Sequence, residues 1–249
     1  MIMEQNHSLD TLFEGRLLCL QHKQGYRFSI DAVLLAHFVK FRPGSKVLDL
    51  GGGCGVISLI LAFRNPDISL SVFEFQPGLV ELIHRNIDLN DKKSGGFRER
   101  IHVIEGDMRK MKEFIPAGGF DWVVCNPPYR SIGSGRLNPG SEQAVARHEI
   151  ETDLSDVLTA ISFAVRTRGR AAVIYPASRS VSLINGMRSH FLEPKRLQMV
   201  YSYPGSDAKL VLIETVKGGK EDLVIAPPFY VYSESGGEYS PAMREYYEP

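Results

Sequence analysis

Short apolar runs and segments of helical period alternate along most of this chain. Residues 46–50, 69–74, 101–107, 120–125 and 169–176 read as strands, taken together apolar throughout rather than strictly at every second position. That pattern belongs to strands covered on both faces, as in a parallel sheet with helices above and below. Residues 29–41, 56–64, 78–90 and 111–115 read as helices; in 78–90, Leu79, Leu82, Ile83 and Ile87 recur at helical spacing. Ser29 is the predicted cap of the first helix, with Asp31 in its first turn. Helices follow over 154–165 and 182–189. The strands 196–203 and 209–216 flank a Pro204-Gly205-Ser206-Asp207 turn, which predicts an antiparallel hairpin. The expected architecture is α/β, a mostly parallel sheet with one antiparallel strand and helices on both faces.

The connecting stretches complete the expected layout: one domain over 1–249, with 1–40 as an entry piece and 227–249 as a tail. Residues 1–10 are polar and read as a loose end. A small strand-and-turn piece follows over 17–28. Residues 91–100 are polar and contain glycine, and read as a loop. Residues 130–149 form a long polar connection, of the kind that is usually functional.

Bulk chemistry narrows the classes. Across 249 residues the net charge is zero, so a polyanionic partner needs a local basic patch rather than a global field. Cys19, Cys54 and Cys125 are scattered and lack the spacing of a disulfide framework or a zinc site, so no metal is expected. Cys54 and Cys125 sit among small or apolar neighbours, as core fillers do. No apolar run approaches 18 residues and no leader-like segment opens the chain, so no membrane role and a cytoplasmic setting are expected.

Three stretches carry chemistry. Asp49-x-Gly51-x-Gly53-x-Gly55 lies between a strand and a helix, where glycines let the backbone approach a ligand closely. Its spacing is neither the dinucleotide fingerprint nor the phosphate-gripping loop. Glu74 ends the next strand and is placed to accept from ribose hydroxyls; Asp107 ends the third and is placed to accept from an adenine amino group. A ligand with ribose and adenine but no pyrophosphate fits these features, and S-adenosylmethionine is the candidate cofactor. The strand 120–125 runs into Asn126-Pro127-Pro128-Tyr129, where the prolines end the ladder. The Asn126 carboxamide oxygen and the Pro127 carbonyl can accept the two N–H bonds of an amino group, localising its lone pair. Tyr129 offers a face for a flipped-out base. The plain alternative is an Asn-Pro turn after a strand.

In this order, Asp49 to Gly55, Glu74, Gly106-Asp107 and Asn126 to Tyr129 resemble the S-adenosylmethionine-dependent methyltransferases that act on amino groups. Residues 24–35, with 133–139 and Ala146-Arg147-His148-Glu149, resemble the bacterial tRNA(Val) adenine N6-methyltransferase family, which modifies the adenine next to the anticodon. The resemblance implies a Rossmann-like, seven-stranded methyltransferase fold. It implies Phe28, Asp31 and Met108 as further cofactor contacts. Arg130, Arg136, Arg147 and His148 are candidates to contact substrate phosphates, a local basic patch on a neutral chain; the alternative is a solvated loop face. Other acceptors share this machinery: an adenine of ribosomal RNA or DNA, or a release-factor glutamine. A protein that binds the cofactor without catalysis is the reading from another class.

Overall fold

The computed structural model describes residues 7–23, 29–127 and 154–248. The chain opens with an antiparallel pair, β1 (His7–Leu12) and β2 (Leu17–His22). Then come α1 (Ile30–Phe38), β3 (Lys46–Leu50), α2 (Val56–Arg64), β4 (Ser69–Glu74), α3 (Pro77–Ser94), the short α4 (Phe97–Arg100) and β5 (Ile101–Glu105). A 3-10 turn at Met108–Glu113 leads to β6 (Phe120–Cys125). Beyond the second gap lie α5 (Leu154–Ala164), β7 (Val165–Pro176), α6 (Ser180–Ser189), β8 (Leu192–Tyr201) and β9 (Ala208–Lys217). Two short strands, β10 (Val224–Ile225) and β11 (Phe229–Tyr230), and α7 (Pro241–Glu245) complete it.

The main sheet runs β10-β8-β9-β7-β6-β3-β4-β5, with β11 also on β8. β3 to β7 are mutually parallel, and β9 is antiparallel to both β7 and β8. This is the predicted mostly parallel sheet with one antiparallel strand, and seven long strands form it. The reason the strands are apolar throughout is visible in the core. Val47, Leu70, Val72, Trp122, Val124, Ala172 and Ile174 pack into one layer with α1 and α2. Leu48, Leu50, Phe73, Val123, Cys125, Ala171 and Val173 pack into the other with α5 and α6. Alternate side chains point to opposite faces, and both faces are covered.

Four expectations need correction. Residues 7–12 are a strand rather than a loose end, because β2 pairs with them and Leu12 and Phe13 are buried beneath. Residues 91–100 are not a loop: α3 continues to Ser94, Gly95 and Gly96 break it with positive φ, and the Asp91 carboxylate accepts from the Phe97 and Arg98 N–H groups to start α4. The first helix stops at Phe38, with Val39 extended. β7 begins at Val165, because Val165 pairs with Phe120 before an irregularity in register. Gly169 sits at that irregularity, where a Cβ would come within 2.9 Å of the Asp121 carbonyl.

The tail packs against the sheet. β11 lies parallel along β8, and Val231 and Met243 are buried. Ser240 caps α7, its hydroxyl accepting from the Met243 N–H.

Candidate functional site

The turn after β3 is built from backbone that only glycine adopts readily. Gly51, Gly53 and Gly55 have φ of 74°, 58° and 84°. The Gly51 N–H donates to the Phe73 carbonyl at 2.8 Å, and Gly55 donates to Gly52 at 2.8 Å. Gly52, outside the predicted set, is equally constrained: a Cβ there would lie 2.1 Å from Val72 Cγ1. The turn therefore rests directly on β4, and no side chain fits between.

Asp49 lies one residue before the end of β3 and is fully buried. Its Oδ2 accepts from the Ser58 hydroxyl at 2.8 Å and the Ser58 N–H at 3.2 Å, near the start of α2. Its Oδ1 is buried with no hydrogen-bond partner. Burial pushes the carboxyl up to about 7, against the pull of Ser58 and with a small further rise from Glu74.

Glu74 closes β4 and is also buried. One carboxylate oxygen accepts from the Gly53 N–H at 2.8 Å; the other accepts from the Phe75 and Gln76 N–H groups, both at 2.9 Å. Glu74 thus ties the glycine turn to the start of α3. Gly106 donates to the Glu74 carbonyl, and a Cβ on Gly106 would come within 2.9 Å of the Phe73 and Phe114 rings. Asp107 follows, more exposed. Arg109 grips it at 2.7 Å and holds its carboxyl below the usual range. Met108 opens the 3-10 turn beside it.

β6 is the strand next to β3, with Cys125 paired to Leu50. Asn126 therefore leaves β6 where Gly51 leaves the neighbouring β3, each directly after the last paired residue. Asn126 is half-buried and Pro127 buried. Asp31 is buried in the first turn of α1, whose cap is Ser29 as expected. The structure thus brings Asp49, the three glycines, Glu74, Asp107, Met108, Asn126 and Pro127 to one rim of the sheet, the carboxyl ends of β3 to β6. Phe28, Tyr129, Arg130, Arg136, Arg147 and His148 lie outside the described residues.

Sequence reading missed Ser58, Gly52 and two asparagines on α3. Asn86 and Asn90 are fully buried. The signal for them was present: 79, 82, 83, 86, 87 and 90 continue one helical face, and a polar residue on a buried face must find partners. Among the described residues no cluster of His, Cys, Asp and Glu is arranged to hold a metal ion, and no helix is long and apolar enough to cross a membrane.

Residues 29–142 match the family model "Methyltransferase small domain". A tRNA1(Val) (adenine(37)-N6)-methyltransferase of Aliivibrio salmonicida is 26% identical over 211 residues, covering 85% of this chain and 82% of the relative. One from a Flavobacteriaceae bacterium is 25% identical, covering 92% and 94%. Among solved structures, a predicted O-methyltransferase from Agrobacterium tumefaciens superposes with a TM-score of 0.70 at 21% identity, covering 87% of this chain and 94% of that one. That last likeness bears on the fold alone.

Proposed function

We propose that this chain, an S-adenosylmethionine-dependent methyltransferase carrying the methyltransferase small domain, methylates N6 of an adenine in tRNA. The specific target is the adenine 3′ of the anticodon of tRNA-Val, and the setting is the cytoplasm. The observation that supports the reading is the register of β6 on β3: Cys125 pairs with Leu50, so Asn126 and Gly51 each follow the last paired residue of adjacent strands. Relatives of similar length named for that activity support it.

The donor set suits S-adenosylmethionine, a cation with an ammonium and a sulfonium. The Asp49 Oδ1 is a buried acceptor without a donor, two residues before Gly51, where an added Cβ would meet nothing within 4 Å. Glu74 takes the ribose hydroxyls, while Asp31, Asp107, Met108 and Phe28 line the remainder. When bound, S-adenosylmethionine supplies an electrophilic methyl group on sulfur. The chain's own part is to hold and orient the acceptor. The Asn126 side-chain oxygen and the Pro127 carbonyl accept the amino N–H bonds, and favour the tetrahedral nitrogen over the planar one. Tyr129 stacks on the flipped base, worth about 1–3 kcal/mol. Arg130, Arg136, Arg147 and His148 contact phosphates. Positioning and charge stabilisation account for the rate.

Asn126→Ala removes one acceptor. Methyl transfer to tRNA falls at least roughly 100-fold, while cofactor affinity by calorimetry stays within a few-fold. Loss of both together makes Asn126 structural and sinks its catalytic role. Radiolabel transfer to total tRNA, total rRNA and a release factor separates the acceptors: label in rRNA or protein but not tRNA replaces the substrate assignment.

A further inference from the structure

The N-terminal hairpin is held by something other than a third strand. Asn86 Oδ1 accepts from the Leu20 N–H at 2.6 Å, and its Nδ2 donates to the Leu20 carbonyl at 2.9 Å. Four residues on, Asn90 Oδ1 accepts from the Leu18 N–H at 2.9 Å and its Nδ2 donates to the Leu18 carbonyl at 2.8 Å. The spacings match. Four helical residues rise about 6.0 Å, and two strand residues advance about 6.6–6.8 Å. Two carboxamides on one helix thus present, to the free edge of β2, the donor and acceptor pairs a neighbouring strand would offer.

The two asparagines then differ. The Asn86 Nδ2 also donates to the Cys54 carbonyl at 2.9 Å, inside the glycine turn. The corresponding second bond of Asn90 goes only to the Asn86 carbonyl, on its own helix. The Cys19 and Cys54 sulfurs are 3.8 Å apart, so β2 and the turn touch at this point. With φ positive at three of its five positions, the turn has no helix or strand ladder of its own to fix it.

We infer that Asn86 is a positioning residue for cofactor binding: it uses the hairpin as a wall and holds the glycine turn in its receptive shape through the Cys54 carbonyl. Asn90 holds the hairpin but not the turn. This rests on the reading of that turn as the cofactor site.

The test compares two isosteric changes, Asn86→Asp and Asn90→Asp, each of which removes an amide donor facing β2. Both lower the melting temperature. Affinity for S-adenosylmethionine, measured by calorimetry on the full chain, falls about tenfold for Asn86→Asp, equivalent to one hydrogen bond. It falls no more than about twofold for Asn90→Asp, which leaves the turn's bond in place. Equal losses in the two variants would reduce Asn86 to a structural role. A second measurement avoids variants that fail to fold. In the unaltered chain, S-adenosylhomocysteine slows hydrogen exchange at the Leu20 N–H as well as in the turn; slowing in the turn alone overturns the inference. A wild-type chain that binds neither compound overturns the cofactor reading itself, an outcome distinct from both.

Discussion

Both ends of the described chain fasten to the same layer of the molecule, the one that contains α1, α2 and α3, but by different physics. The first end, β1 and β2, adds polar groups to its buried Leu12, Phe13, Leu17 and Cys19: two buried carboxamides satisfy the edge of β2. The last end is fastened by rings. Tyr246 stacks on His37 of α1 with centroids 4.0 Å apart, and on Phe229 at 5.1 Å; Tyr247 stacks on Tyr239 at 5.6 Å. A polar latch is directional, since each of its bonds specifies a register and leaves an unsatisfied group when broken. A ring stack adds area and tolerates sliding. The directional latch lies against the glycine turn, where position matters. The tolerant one supports the outer end of α1.

The contrast can be tested by breaking each side. Asn90→Ala strips the Leu18 N–H and carbonyl of their carboxamide partners, and the expected cost is about 3 kcal/mol in chemical denaturation. Tyr246→Ala removes a half-buried ring and its stack on His37, costing about 2 kcal/mol; Tyr246→Phe recovers most of it, because shape rather than the hydroxyl carries the contact. If Asn90→Ala costs less than Tyr246→Ala, the ranking proposed here is wrong. The effect that builds most gradually is a pH dependence. Burial, helped by the nearby Arg64 charge, lowers the His37 imidazole to about 3. Below pH 6.5 the unfolded chain takes a proton at His37 that the folded chain refuses. That part of the stability is therefore complete above pH 6.5 and is lost as the pH falls toward 3, at up to about 1.4 kcal/mol per unit. Asp49, raised to about 7, works in the opposite sense: its neutral form favours the folded state at low pH, and this contribution is lost as pH rises from 3.8 toward 7. Comparing wild type with His37→Phe cancels the Asp49 contribution. The variant should gain on wild type steadily below pH 6.5, and a constant difference would contradict the assignment.

The same contrast explains what could be read in advance. The glycine turn, Glu74 and the hairpin of β8 and β9 announce themselves locally, through φ demands, a strand end and a short turn. Asn126 does too, because prolines stop its strand. The strand order that makes Asn126 and Gly51 follow adjacent strands is not local: β6 inserts beside β3 although β4 and β5 intervene in the chain. The latch was hidden for a related reason. Asn86 and Asn90 acquire their meaning from Leu18 and Leu20, some seventy residues earlier, and nothing near them in the chain names that partner. The tail gave a composition of tyrosines but no period, since stacked rings need none.

The stack between His37 and Tyr246 also sets an order of events during synthesis. More than two hundred residues separate the two. At bacterial and eukaryotic elongation speeds of about 5–20 residues per second, that interval lasts roughly 10–40 s. Throughout it, the ring face of His37 that will meet Tyr246 has no partner, whereas Asn86 and Asn90 can close on β2 much sooner. The latch on β2 can therefore close well before the tail covers His37 at the end of α1.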